Sequence, residues 1–284
     1  MAHAVFKYRK GEAYPWVYKY PQTALTADCI VFSFCPDSKQ KPAAASNEFA
    51  ACKKDSCEQG SKSVSCGKES PLKVLLIKRG ADPYKDYWAF PGGFVNPEET
   101  AQQGALRELQ EETGLKAPYL EQFEVFSTPN RDPRQRVVTV PFFVLTTEMN
   151  AVAADDATEA QWFPVDDLPS LAFDHKEIFE KAMAALRKSL VFNPLWRYLL
   201  PREFTMSQLQ ALYEAIYCKK YDRRNFARKM LSTGHLNDGG LNRQGLPSRK
   251  ATIYTFKENS GGCTLRTNNS KFILADFEQI TNSL

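Results

Sequence analysis

Short apolar runs separated by turn residues dominate the first half of the chain and predict β-strands. Residues 24–34, ALTADCIVFSF, alternate and then become apolar, as a partly buried strand would. Residues 72–80, LKVLLIKRG, are apolar enough for a central strand. A strand and a turn are predicted at 88–93, and further strands at 119–129, 137–149 and around Trp162.

Helical periodicity appears twice among and after these strands. Residues 99–113 contain helix formers and no interior proline, and Gly114 follows where a left-handed cap would end the helix. A second helix is predicted from about Asp174 to Leu190. We assign residues 24–190 to one domain, which follows an N-terminal arm at 1–23.

The last third of the chain has the order of elements of a winged helix-turn-helix. Thr205 is a good N-cap for a helix whose apolar residues recur at helical spacing, namely Met206, Leu209, Leu212, Tyr213 and Ile216. Asp222 caps a second helix that stops at Gly234, and a glycine-rich basic turn and an alternating strand follow. Residues 191–284 are therefore a candidate DNA-binding domain, in which the second helix enters the major groove.

Basic residues are concentrated in this domain. From Leu190 onward the chain has 14 Lys and Arg against 7 Asp and Glu, whereas the remainder has 23 against 26, which favours a polyanionic partner. The predicted DNA contacts are Arg223, Arg224, Arg228, Lys229, Arg249 and Lys250, and Arg243 is a further phosphate contact. The alternative is a helical extension that packs on the first domain or mediates a dimer, with a basic face that is merely solvated.

Residues 36–71 differ in composition from their surroundings. They are rich in Ser, Lys, Ala, Cys and Glu, which predicts a disordered insertion between two strands. Three of the seven cysteines lie there as C-x4-C-x8-C, a spacing that favours free thiols over a zinc site. No apolar run approaches the ~20 residues of a membrane span, and the N-terminus lacks a signal-peptide core. We expect a soluble intracellular protein, in the cytoplasm, or in the nucleus or nucleoid if it binds DNA.

Three carboxylates share one face of the helix predicted at 99–113. Glu108, Glu111 and Glu112 stand at i, i+3 and i+4, where like charges repel unless a cation binds. Hard oxygen ligands without a nearby His or thiol favour Mg²⁺ or Mn²⁺, whose shells are completed by water and substrate phosphates. The alternative is a solvated acidic face, and helical geometry does not decide between the two.

The spacing around these carboxylates resembles the Nudix family over 23 residues. The matching positions are Gly93, Glu99, Arg107, Glu108, Leu109, Glu111, Glu112, Gly114 and Leu115. This resemblance implies an α/β fold, an α/β/α sandwich with a mixed sheet, and pyrophosphohydrolase chemistry. It also implies that Glu108, Glu111 and Glu112 are metal ligands, that Gly93 contributes its carbonyl, and that Arg107 pairs with Glu99.

Other residues are candidates for substrate contacts and for the general base. Arg131 and Arg134 lie in the loop NRDPRQR, which is either solvated or a phosphate or ribose clamp. RDPR resembles the corresponding segment of ADP-ribose-type Nudix proteins and favours the clamp, and Arg79 and Trp88 are also predicted to contact the substrate. By analogy with family members, Glu159 is the candidate base, with Asp155 and Asp156 as rivals. His175 is more often a polar residue at a helix start than a base.

Residues 199–231, LLPREFTMSQLQALYEAIYCKKYDRRNFARKML, are similar to the winged-helix half of the Nudix-related transcriptional regulators of NAD metabolism. The segment LAFDH, at 171–175, strengthens the similarity. It implies a Nudix domain that senses ADP-ribose-like metabolites and a module that binds double-stranded DNA. Recognition of palindromic DNA would require a homodimer. Members of that family often have a degraded catalytic motif, whereas this chain keeps every carboxylate.

Three hypotheses follow. The first is a Mg²⁺-dependent pyrophosphohydrolase that acts on a nucleoside diphosphate linked to another moiety, most favourably ADP-ribose. The second is an ADP-ribose-sensing DNA-binding regulator with little or no hydrolysis, and a bifunctional protein combines the two. The third is an interaction protein whose C-terminal module recruits a partner.

Overall fold

The structure, a computed structural model, describes residues 23–36, 69–153, 157–241 and 252–257. Within this part eight strands form one mixed sheet. They are β1 (Ala24–Phe34), β2 (Leu72–Arg79), β3 (Trp88–Ala89), β4 (Gly92–Phe94), β5 (Tyr119–Gln122), β6 (Val137–Thr139), β7 (Phe142–Leu145) and β8 (Ala157–Pro164). The predicted arm, apart from its last residue, and residues 37–68 of the predicted insertion lie outside the described residues.

The long strand β1 is the centre of the sheet. Its first half pairs with β4 antiparallel and with β6 parallel, and its second half pairs with β2 antiparallel and with β7 parallel. The main path through the sheet runs β3-β2-β1-β7-β5, and β8 lies on β2. Residues 27–34 of β1 are all buried, as expected of an apolar strand covered on both faces.

Helix α1 (Ala101–Thr113) covers one face of the sheet. Its Ala105 and Leu109 belong to a buried cluster with Cys29 and Leu75. The helix begins two residues later than predicted, because Thr100 forms a capping box with Gln103 and leaves Glu99 in the preceding loop. Gly114 ends the helix in the left-handed conformation, as predicted, with φ of 69°.

Helix α2 (His175–Phe192) covers the other face, so the sheet lies between two helices. The predicted domain boundary at residue 190 falls inside this helix. Among the described residues, the C-terminal elements are a 3₁₀ turn (Leu195–Tyr198), β9 (Glu203–Thr205), α3 (Met206–Tyr217), α4 (Arg223–Ser232), β10 (Leu236–Leu241) and β11 (Thr252–Phe256). None of the helices in the described part of the chain combines the length and the apolar character that crossing a bilayer requires.

The C-terminal elements form a winged helix-turn-helix. Thr205 caps α3 through a capping box with Gln208, and the Asp222 side chain accepts a hydrogen bond from the Asn225 amide at the start of α4. A three-stranded sheet in the order β10-β11-β9 completes the module. Strand β9 has three residues, EFT, too few to show an alternating pattern, and the sequence did not predict it.

One apolar core extends from the sheet into this module. A single cluster joins Phe32 of β1 and Leu186 of α2 to Leu209 of α3. At its edge, Arg187 of α2 donates from Nε to the Ile216 carbonyl at 2.7 Å, and the Tyr217 hydroxyl donates to the Arg187 carbonyl at 2.9 Å. Arg187 therefore caps the C-terminal end of α3, where a positive charge is favourable.

Two predicted strands differ from the observed ones. The run at 137–149 is divided into β6 and β7, which pair with different halves of β1, and Pro141, which has no amide proton, lies between them. The run at 119–129 ends as a strand at Gln122, after which Phe126 alone forms a bridge to Thr139.

Candidate functional site

The site is built at Gly92 and Gly93, where the chain passes close to β1 and to α1. These two residues begin β4, and we call them the glycine turn. A Cβ atom at position 93 would lie 2.5 Å from the carboxylate carbon of Glu108, and one at position 92 would lie 2.4 Å from the Ala27 carbonyl oxygen. Such approaches require glycine. Gly92 and Gly93 thus bring the backbone of the turn directly against an acidic side chain of α1.

Arg107 connects the carboxylates of this site. Its Nε and Nη2 atoms donate to the two oxygens of Glu99 at 3.1 and 2.6 Å. Its Nη1 atom donates to Glu108 at 2.8 Å and to Glu111 at 3.0 Å, and Nη2 also donates to the Phe94 carbonyl at 3.1 Å. The hydrogen bonds that Arg107 donates hold the pKa of Glu99 below its usual range. The bonds to Glu99 and Glu108 also raise the pKa of Arg107, although burial acts in the opposite direction.

Glu108 and Glu112 are the enclosed carboxylates of the group. Glu112 is 8% exposed and accepts a hydrogen bond from the Gly92 amide at 2.8 Å. Burial raises the pKa of Glu108, although its bond with Arg107 acts in the opposite direction. Burial first, and then the charges of Asp28, Glu112 and Glu108, also raise the pKa of the Cys29 thiol. Burial is therefore the main cause of both shifts, and the neighbouring carboxylates add to the shift of Cys29.

The donors at this turn fit a hard divalent cation in their chemistry. Glu108 lies against Gly93, Glu112 bonds to the Gly92 amide, and Glu111 adds a third carboxylate on the same helix. Carboxylate and carbonyl oxygens are the ligands that Mg²⁺ or Mn²⁺ prefers. Across the described residues, no three His, Cys, Asp or Glu side chains converge as a metal cage. The physical reason is that Arg107 engages Glu108 and Glu111, while Glu112 bonds to the Gly92 amide.

The arginine loop at 130–136 is ordered by two bidentate ion pairs. Arg131 donates to both oxygens of Asp174 at 2.8 and 2.6 Å and is 6% exposed, so it ties the loop to the start of α2. Arg134 donates to both oxygens of Asp132 at 3.0 and 2.7 Å and lies over the Phe94 ring at 5.6 Å. Arg134 is 43% exposed, so of the two it is the one that a ligand can reach.

Arg79 joins this loop to the carboxylates. Its Nε atom donates to the Pro83 carbonyl at 2.9 Å. Burial lowers its pKa, the positive charge of Arg134 lowers it further, and the negative charges of Asp132, Glu112 and Asp28 oppose the shift. The charges of Arg134, Asp132, Glu112 and Asp28 therefore all act on the Arg79 guanidinium.

The structure places Trp88 and Glu159 away from the carboxylates. Both residues pair with Lys78 of β2. Lys78 is two residues from Leu76, whose side chain faces α2, whereas the Leu75 side chain faces α1. Because side chains alternate along a strand, Trp88 and Glu159 share the α2 side, where Trp88 packs against Phe163 at 4.7 Å. The rival bases Asp155 and Asp156 lie outside the described residues.

Two buried polar residues at the site were not predicted to have this role. Asp28 is 7% exposed and accepts a hydrogen bond from the Thr139 hydroxyl at 2.5 Å. His175 begins α2, its Nδ1 accepts a hydrogen bond from the Phe90 amide at 3.0 Å, and burial lowers its pKa. His175 thus supports the backbone before the glycine turn as a neutral ring. A carboxylate inside an apolar strand is the signal that identifies Asp28.

The predicted DNA contacts of the described region lie on α4. Arg223, Arg224 and Arg228 are exposed, and none of them forms an ion pair with another described residue. Lys229 is half-buried on the same helix. Arg243, Arg249 and Lys250 lie outside the described residues. Helix α4 therefore presents an unneutralised cationic surface beside its buried residues Phe226 and Met230.

Comparisons with known proteins match both halves of the chain. The NUDIX domain model matches residues 64–183, and the NrtR DNA-binding winged helix domain model matches residues 197–256. An ADPR responsive transcriptional repressor NtrR of Acinetobacter baylyi is 33% identical over 193 residues, which cover 66% of this chain and 77% of the relative.

Two further relatives match one or both halves. An ADP-ribose pyrophosphatase of Methanocaldococcus jannaschii is 43% identical over 115 residues, which cover 40% of this chain and 68% of the relative. The crystal structure of Shewanella oneidensis NrtR complexed with a 27mer DNA is similar with a TM-score of 0.60 and 27% identity. That match covers 82% of this chain and 93% of the other.

Proposed function

Because the chain belongs to the family of Nudix proteins that carry an NrtR-type winged-helix domain, we propose that it hydrolyses the diphosphate of a nucleoside diphosphate linked to another moiety. ADP-ribose is the favoured substrate, since the Methanocaldococcus relative is named for its pyrophosphatase activity on that compound. The observation that carries the proposal is the group of carboxylates that the chain retains without a substitution: Glu99, Glu108 and Glu111 accept hydrogen bonds from Arg107, and Glu112 accepts one from the Gly92 amide.

Each residue of the site has a distinct role in this reaction. Glu108, Glu111 and Glu112, with the Gly93 carbonyl, would hold Mg²⁺ or Mn²⁺, which supplies Lewis-acid polarisation of phosphoryl oxygens and activation of water. Arg134 and Arg79 bind the remaining phosphate charge. Arg107 orients Glu108 and fixes the turn through Glu99. Water adds to one phosphorus, the bridging P–O bond breaks, and the bridging oxygen leaves on the other phosphate.

A single amide substitution tests the enzyme proposal. Glu112→Gln keeps an oxygen to accept from the Gly92 amide but removes the charge, so we expect normal folding and at least about a 100-fold loss of ADP-ribose turnover in Mg²⁺. Product chromatography measures it over a panel with NAD and dinucleoside polyphosphates. The matched control is Glu98→Gln, an exposed glutamate of the loop between β4 and α1, which should retain turnover. Equal turnover in Glu112→Gln would refute the assignment.

We also propose that the winged helix binds double-stranded DNA and that ADP-ribose bound at the other domain modulates this binding. The specific observation is the cationic surface of α4, whose arginines are exposed. The relatives support it, since one is named an ADPR-responsive repressor and another is solved with DNA. A two-fold homodimer would let two modules contact the half-sites of a palindrome. Enzyme and regulator are compatible in one chain.

The Glu112→Gln variant separates sensing from hydrolysis. If ADP-ribose acts as an effector, it changes duplex affinity in a variant that no longer consumes it, and the change is measured by fluorescence anisotropy on mixed-sequence and selected duplexes. An ADP-ribose effect on the wild type that is absent from a binding-competent Glu112→Gln chain would instead assign regulation to the products. Absence of duplex binding at low salt would leave the enzyme proposal standing and refute the regulator.

A further inference from the structure

Three aromatic side chains form a row of ring contacts that begins at Arg79. The Arg79 guanidinium lies 5.0 Å from the centre of the Phe173 ring, and Phe173 contacts Tyr84 at a centroid distance of 4.6 Å. Tyr84 in turn contacts Tyr87 edge-on at 5.7 Å. Tyr84 is 39% exposed and Tyr87 is 47% exposed, so a ligand in solvent can reach both residues. We call Tyr84, Tyr87 and Phe173 the aromatic platform.

The backbone holds the platform in a costly conformation. Tyr84, Asp86 and Phe173 all have positive φ, of 63°, 67° and 51°. Left-handed backbone in residues with side chains costs roughly 1 kcal/mol or more each and is concentrated at functional sites. Hydrogen bonds from Arg79 to the loop offset part of this strain. Its Nε atom donates to the Pro83 carbonyl, its amide donates to the Tyr87 carbonyl, and its carbonyl accepts from the Asp86 amide.

The platform is continuous with the acidic site. Arg79 lies over the Phe173 ring, and its Nε atom donates to the Pro83 carbonyl in the loop that carries Tyr84 and Tyr87. Phe173 also lies 5.7 Å from the ring of His175, which supports the backbone before the glycine turn. A ligand whose diphosphate lies against Arg79 and the carboxylates therefore brings its next group onto exposed aromatic faces.

We propose that the aromatic platform is the binding site for the nucleobase of the nucleoside diphosphate ligand. This inference rests on the proposed function, because the diphosphate site sets where the base begins. A planar base gains stacking energy on tyrosine rings. Arg79, stacked on Phe173, joins the phosphate and base subsites. The residues set substrate specificity and take no part in bond cleavage.

The test compares ligands with and without a base in variants that remove the open rings. Tyr84→Leu and Tyr87→Leu keep apolar bulk but remove the stacking face, and Tyr87→Phe keeps it. By calorimetry in the Glu112→Gln background, we expect each Leu variant to bind ADP-ribose about tenfold more weakly. Binding of ribose 5-phosphate, which has no base, should change less than twofold, and Tyr87→Phe should bind ADP-ribose as the parent does.

The matched control is Phe192→Leu, which removes an aromatic ring of similar exposure, 44%, at the end of α2. Its ADP-ribose affinity should equal that of the parent. If Tyr84→Leu disturbs the loop, as a lower unfolding temperature would show, Tyr87→Leu decides the question. Parent-like ADP-ribose affinity in Tyr87→Leu overturns this inference and leaves the proposed function intact. A chain with Glu112 intact that neither binds nor hydrolyses ADP-ribose or any other nucleoside diphosphate compound of the panel overturns both.

Discussion

Helices α1 and α4 are both rich in charged residues, but the structure uses those charges in opposite ways. On α1, Arg107 bonds to three carboxylates and to a carbonyl, and Glu112 is buried against the Gly92 amide. On α4, Arg223, Arg224 and Arg228 are exposed and have no ion pair with any described residue. The charged side chains of α1 are held by hydrogen bonds, whereas the arginines of α4 are exposed to solvent.

The difference corresponds to two kinds of ligand. Fixed, half-buried carboxylates act through geometry, so a displacement of about 1 Å is enough to change the chemistry. Exposed guanidinium groups act through summed potential, so each contributes a similar increment that salt screens. Substitutions on α1 should therefore have large and specific effects, whereas those on α4 should have smaller, additive, salt-dependent ones.

The largest effect is expected at the glycine turn. Gly93→Ala places a Cβ 2.5 Å from the end of the Glu108 side chain, which is flexible and can move. We expect a stable fold with at least about a 100-fold loss of ADP-ribose turnover. The adjacent control Gly92→Ala meets the Ala27 carbonyl at 2.4 Å, a backbone atom, and should instead cost about 2 kcal/mol in unfolding free energy. Full turnover by Gly93→Ala would show that the position of Glu108 is unimportant.

The second prediction concerns Arg107 and its pH dependence. Arg107→Met leaves Glu99, Glu108 and Glu111 without their shared partner, and should cost about 2 kcal/mol in urea unfolding at pH 7. The pKa of Glu99 is lowered in the fold, so its contribution is present above its ordinary value of 4.5 and is lost as pH falls through the folded value. The difference in unfolding free energy between Arg107→Met and the wild type should therefore become smaller in acid.

The control for Arg107→Met is Arg202→Met, an exposed residue whose loss should change stability by less than about 0.5 kcal/mol. If the difference in unfolding free energy between Arg107→Met and the wild type stays constant down to pH 3, the ion-pair explanation is wrong. Lost packing of the arginine side chain would then explain the effect.

A smaller and different effect is expected on α4. Arg224→Ala with Arg228→Ala should weaken binding to every duplex sequence and reduce the slope of log affinity against log salt by about two. The matched control, Lys176→Ala with Lys188→Ala, removes the same charge from exposed positions on α2 and should leave the slope unchanged. Equal loss in both double variants would mean that net charge, and not the α4 surface, drives DNA binding.

The smallest effect is expected at His175. Its pKa is lowered by burial, so the unfolded chain binds a proton that the folded chain does not as pH falls below 6.5. Wild-type stability should decline there by at most about 1.4 kcal/mol per pH unit from this residue. His175→Asn keeps an acceptor for the Phe90 amide and should show a flatter decline between pH 6.5 and 5. An identical decline in both proteins would assign it to other groups.

The sequence predicted the local features that depend on neighbouring residues in the chain, such as strands and helix caps. Strand β1 and the helix caps at Thr205, Asp222 and Gly114 agree with the prediction, because they depend on neighbours in the chain. The bond of Arg107 to Glu99, expected from the family resemblance, is also present. The winged-helix order was predicted, but the three-residue strand β9 was not.

What the sequence did not predict depends on pairing across the sheet. Trp88 and Glu159 were candidate site residues, yet both lie opposite Lys78 on the face away from α1, which follows from register and not from local pattern. Likewise, nothing near Arg131 indicates that it would pair with Asp174, 43 residues away. The platform around Arg79 required positive φ at residues other than glycine, which sequence patterns do not indicate.

The apolar cluster that runs from β1 through α2 into α3 joins two modules that could otherwise unfold separately. With Arg187 bonded to the last turn of α3, opening the winged helix would expose core residues of the sheet side. We therefore expect one cooperative melting transition, and amide-exchange protection in α3 that increases when a ligand binds beside the glycine turn.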